Sequence, residues 1–131
     1  MTNLYRSILI ASVSLGLALA QEKNPVTAVS LIEVLANAEK FDGRKVAVTG
    51  FLVIERDPLH FRSTLFFHEE DAKHFLGNSV IILASDEMQN AWEKISSVYV
   101  SLVGTVQVVP SGGGRIIQIR DIERCIRLPS R

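Results

Sequence analysis

The chain has one cysteine, Cys125, so it can form no internal disulfide, and a packed core alone must hold its fold. Its neighbours Ile122, Ile126 and Leu128 predict an apolar setting and a buried, inert thiol. Charge of either sign is not in excess: 14 basic residues stand against 14 acidic ones. That balance gives no global electrostatic reason to expect a nucleic acid or an anionic membrane as partner. No Gly-x-Ser-x-Gly elbow is present. Gly112-Gly113-Gly114 lacks the lysine and hydroxyl residue of a phosphate loop and leads into a strand pattern. Beyond the first twenty residues, no run is long and apolar enough to span a bilayer, which takes about 20 residues. These absences point away from an enzyme and away from a membrane-embedded protein.

Residues 1–20 carry the pattern of a secretory signal peptide. Arg6 supplies the positive charge, residues 8–19 are apolar apart from two serines and a glycine, and Ala18-Leu19-Ala20 offers small residues to a peptidase. Polar sequence follows from Gln21, with no cysteine there for lipid attachment. The expected product is an exported protein, periplasmic or extracellular, made of residues 21–131. Losing Arg6 leaves 13 basic against 14 acidic residues, a net charge of −1. Its 111 residues amount to one domain.

Ser30-Leu31-Ile32-Glu33 is a capping box ahead of an apolar stripe, which predicts a helix over 31–38. Asp42-Gly43 signals a turn. Alternation over 45–54 predicts a long strand: Val46, Val48, Leu52 and Ile54 lie on one face, and Gly50 marks a bend. Residues 55–59, with Pro58, read as a loop. Shorter strands follow at 63–67 and 78–84, separated by a charged connection at 68–74 with room for one helical turn. Val80-Ile81-Ile82-Leu83 is apolar throughout, as in a central strand. Ser85-Asp86-Glu87 opens a second helix with Met88, Ala91, Trp92 and Ile95 on one face. Strands over 99–109, interrupted by Gly104, and over 115–122 flank a flexible hairpin loop.

The fold class is therefore mostly β with two short helices, an α+β arrangement. The order of helix, three strands, helix and two strands resembles the OB-fold, a five-stranded Greek-key barrel. Phe41-Asp42-Gly43-Arg44-Lys45-Val46-Ala47-Val48-Thr49-Gly50-Phe51-Leu52 resembles the opening of short exported OB-like bacterial domains of unassigned function. Ser97-Val98-Tyr99-Val100-Ser101-Leu102-Val103-Gly104-Thr105-Val106 resembles their fourth strand. The likeness covers about 31–122. It implies a first strand bent at Gly50 and a barrel end plugged by the helix containing Met88 and Trp92. It implies no chemistry, because fold does not fix function. An SH3-like barrel and an open α+β sheet are the competing architectures.

Two groups of residues carry candidate binding chemistry. His68, Asp71 and His74, with His60 nearby, bring imidazole and carboxylate groups that suit a divalent cation. The spacing is not the zinc-protease motif, and a solvated charged connection explains the same residues. Phe61, Phe66 and Phe67 with Arg56 and Arg62 resemble the base-stacking strand of nucleic-acid-binding OB domains. Phe66 and Phe67 point to opposite faces, so only one of them can be exposed. Residues 115–131 hold five arginines against Asp121 and Glu123, a local +3 that suits an edge strand or an acidic partner. The expected function is an exported, non-enzymatic binding module for a protein, peptide or glycan. Its candidate surface is 60–74, with His60, Phe61, Phe66, His68, Asp71 and His74 as contacts. No cofactor is expected; divalent-metal binding and nucleic-acid binding are the alternatives.

Overall fold

A computed structural model describes residues 25–56, 58–59 and 61–130. The expected signal peptide and His60 lie outside the described residues. Strand β1 (Thr27–Ala28) is followed by helices α1 (Leu31–Ala36) and α2 (Ala38–Phe41) and strands β2 (Lys45–Arg56) and β3 (Phe61–Phe66). Helix α3 (Glu69–Lys73), strand β4 (Ser79–Ile82) and helix α4 (Asp86–Trp92) come next. A 3-10 turn (Glu93–Ile95) then leads to the long strands β5 (Val98–Ser111) and β6 (Gly114–Arg127).

The Ser30 half of the capping box forms: its hydroxyl accepts from the Glu33 amide at 3.1 Å. The single helix expected over 31–38 is instead two pieces broken at Asn37, whose backbone leaves the helical region. One apolar stripe survives the break, because Leu31, Val34, Ala38 and Phe41 are all buried. These spacings of three, four and three residues keep one helical face on the core.

Five strands close into a barrel in the order β2-β3-β4-β6-β5, with β5 returning to β2. Strand β2 makes closure possible by serving two neighbours. Its residues 45–52 pair with β5, and its residues 51–56 pair with β3. Gly50 sits where the strand passes from one neighbour to the other. A Cβ there would lie 2.7 Å from both Leu65 Cγ and the Phe66 carbonyl oxygen. The glycine thus has a packing cause, since β3 presses against the backbone at that point. Strand β4 runs parallel to β6 and the other barrel pairings are antiparallel. Strand β1 adds a short parallel edge to β2, an element the sequence pattern does not signal.

Leu52, Leu65, Val80, Val100, Leu102, Val106 and Ile119 fill the barrel and are at most 1% exposed. Trp92 on α4 is buried against them, with Met88 and Ile95 half-buried beside it. Ala91, expected on the same face, is exposed, and Gln89 is buried in its stead. The reason is a polar anchor: the Ser63 hydroxyl donates to Gln89 Oε1 at 2.8 Å, and Gln89 Nε2 donates to the Ala84 carbonyl at 2.9 Å. Among the described residues, no helix is long and apolar enough to cross a membrane.

Candidate functional site, a cleft in the barrel wall

The cleft follows from unequal strand lengths. Strand β4 has four residues and pairs with β3 only over Ser63–Phe66, while β6 continues to Arg127 after its last β4 partner, Ile119. The start of β3 and the second half of β6 are therefore left without a strand between them. The first turn of α4 bridges the gap only in part. The resulting cleft has a volume of about 880 Å³. Phe61 and Arg62 line it from β3, Ile81 and Leu83 from β4 and its exit, Met88 from α4, and Arg120 to Ile122 from β6.

The charges in the cleft are balanced. Arg62 stands opposite Glu55 across the β2–β3 ladder. Arg120 Nη1 lies 3.2 Å from Asp121 Oδ2. Asp121 has a φ of +51°, a left-handed conformation that aspartate tolerates better than most residues and that turns β6 beside the cleft. Two arginines and two carboxylates over apolar walls make a surface of mixed polarity, unlike the uniformly basic track of a nucleic-acid groove. Arg56 places its guanidinium 5.2 Å from the centre of the Phe61 ring, a cation–π contact that steadies the ring at the rim.

The described residues of the expected 60–74 surface do not converge. Phe61 opens β3 at the cleft, and Phe66 ends it, about 17 Å away at a rise of about 3.3 Å per residue. Phe66 is half-buried, while Phe67 packs against the core and stacks obliquely on His68 with ring centres 4.1 Å apart. His68 is the exposed N-cap of α3. Asp71 turns inward: it is 7% exposed, and its carboxylate accepts from the His68 amide at 2.9 Å and from Asn78 Nδ2 at 3.4 Å. His74 projects outward at the other end of α3, 3.5 Å from Glu70 Oε2. Among the described residues, no three His, Cys, Asp or Glu side chains are grouped to hold one metal ion. Asp71 works as the reciprocal cap of its own helix.

A second hollow of about 660 Å³ lies at the far end of β6, between His68, Phe51, Tyr99 and Arg127. Phe51 and Tyr99 meet edge to face at 5.2 Å, and the Tyr99 hydroxyl accepts from the Glu69 amide at 3.1 Å. Glu69, and after it Glu70, hold the Lys73 ammonium above its ordinary pKa, on an exposed side chain. Cys125 on β6 is half-buried rather than sealed, and burial pushes its thiol up to about 11.

Leu83 and Met88 are cleft residues that the sequence does not single out for binding, while Arg120 and Asp121 belong to the locally basic segment 115–131. Leu83 is the one with a visible sign, because it closes an all-apolar run yet is 43% exposed. No protein-family model matches the chain, and no curated protein matches it.

Proposed function

We propose that the chain is an exported, non-enzymatic binding module built on an OB-type barrel, and that its ligand sits in the cleft beside β3 and β4. The strand order, the parallel pairing of β4 with β6 and a helix between the third and fourth barrel strands support the OB reading. OB barrels take oligonucleotides and oligosaccharides on the face of their second and third strands, which here are β3 and β4. The observation that carries the proposal is the cleft itself. Phe61, Ile81, Leu83 and Met88 supply apolar and aromatic surface, with arginine and carboxylate groups set to orient a guest. Balanced charge favours a peptide or glycan over a polyanion.

The test is a nuclear magnetic resonance screen of the protein against short peptides and oligosaccharides, mapping which amides move. Shifts grouped at Phe61, Arg62, Leu83 and Arg120 support the reading. Ligands that map only elsewhere, or that are chemically converted, refute it. The export component rests on residues 1–20 and is checked by sequencing the N-terminus of the protein recovered outside the cytoplasm. A start at Gln21 is expected; an intact Met1 argues against export by this route.

A further inference from the structure

The second half of β6 is an open strand edge. At Arg120 and again from Arg124 to Arg127 the strand pairs with β5 on one side, with an irregular stretch at 121–123 between, and among the described residues no strand lies on the other. A strand exposing unpaired amides and carbonyls is a template for another extended chain. Eight residues make up this edge, of which the last four, Arg124 to Arg127, are regular strand, about 10 Å between first and last at a strand's usual rise. It starts at Arg120 and Ile122 in the cleft and ends at Arg127 in the second hollow, so the two concavities are joined by one run of backbone.

The side chains along the edge favour one sign of partner. Arg120 is matched by Asp121, and Glu123 is held by Lys45. Arg124 and Arg127 make no ion pair among the described residues. Ile126 adds exposed apolar surface between them. A second copy of the chain laid antiparallel over the same eight residues sets Arg127 against Arg120 at each end, and Glu123, which would face Arg124, is already held by Lys45, so self-pairing gains little.

We infer that β6 takes an extended acidic segment of a partner protein as an added strand, with backbone hydrogen bonds along 124–127 and carboxylates against Arg124 on one face of the sheet and Arg127 on the other. This rests on the binding-module reading and specifies its ligand as an acidic peptide.

The probe is a ten-residue peptide of repeating valine-glutamate-glutamate, which sets carboxylates on both faces of an added strand, with a valine-lysine-lysine peptide as control. Binding is followed by fluorescence anisotropy at low ionic strength and by amide hydrogen exchange. The acidic probe is expected to bind at least about tenfold more tightly than the control. Its binding slows exchange at the alternate amides of 124–127 that point away from β5. The exposed double variant Arg124→Glu/Arg127→Glu is expected to reverse the preference between the two peptides, a readout that loss of folding does not produce. No binding of the acidic probe, binding without slowed exchange on β6, or dimerisation of the protein through β6 in sedimentation each overturns the inference. The broader reading survives those results if the peptide and oligosaccharide screen still places a ligand in the cleft. An empty screen alongside a docked acidic strand separates the two in the other direction.

Discussion

Ser63 and Gln89 form a buried side-chain pair: the hydroxyl donates to the amide oxygen at 2.8 Å, with the two residues 1% and 5% exposed. The pair ties α4 to β3 at the edge of the cleft. Replacing one member leaves the other buried without its partner, which costs about 1–3 kcal/mol. Ser63→Ala and Gln89→Leu are each expected to lower the unfolding free energy, read from urea denaturation, by that amount. The double variant should lose less than the sum, because the second change removes the orphaned group. Strict additivity in a denaturation series would contradict the coupling.

Gly50 and Gly104 are required by close approach rather than by unusual dihedral angles. A Cβ at Gly104 would lie 2.6 Å from Ile119 Cγ2 and 2.8 Å from Ile122 Cδ1, at the register shift between β5 and β6. Alanine at either position is expected to destabilise by about 1–3 kcal/mol through overpacking. Thermal unfolding of Gly50→Ala and Gly104→Ala checks this against Gly43→Ala. That third glycine has open space around it but a φ of +76°, so its cost is conformational.

Cys125 provides a pH signature. Burial raises its pKa from 9.0 to about 11, so the folded state holds the thiol proton more tightly than the unfolded chain does. The corresponding stability is fully present below pH 9 and is lost as the pH rises through about 11. At pH 8 the thiol is expected to react with a disulfide reagent at least about tenfold more slowly in the native protein than in denaturant. Equal rates would show that the side chain is not shielded.

Asp71 is expected to matter for folding rather than for metal. Asp71→Ala removes the reciprocal cap of α3 and should cost about 1 kcal/mol. His68→Ala and His74→Ala should leave any zinc response in a calorimetric titration unchanged. Saturable zinc binding abolished by the two histidine replacements together would support the metal reading and assign those side chains a ligand role.

How far the sequence reveals this molecule differs between fold and site. The alternation of Val46 and Val48, the Ser30 cap and the Ser85 cap report local preferences, and local preferences set the barrel strands and helices. Strand β6 runs on to Arg127, five residues beyond the expected end at Ile122, because pairing with β5 overrides its charged composition. The cleft is less legible. Arg62, Leu83, Met88 and Arg120 come from four separate segments, and no local spacing records that β4 ends while β6 runs on to Arg127. His68, Asp71 and His74 show the converse: they are neighbours in sequence, yet the cap of α3 turns Asp71 inward while both histidines face solvent.

The cleft as the binding surface is tested most directly by titrating a ligand from the peptide and oligosaccharide screen into the wild-type protein and into a Phe61→Ala/Arg62→Ala variant by calorimetry. The unfolding transition of the variant is measured alongside to show that it folds. The account predicts an affinity at least about tenfold weaker in a folded variant, as for the loss of an aromatic and an arginine from a contact surface. Unchanged affinity in a folded variant would contradict it.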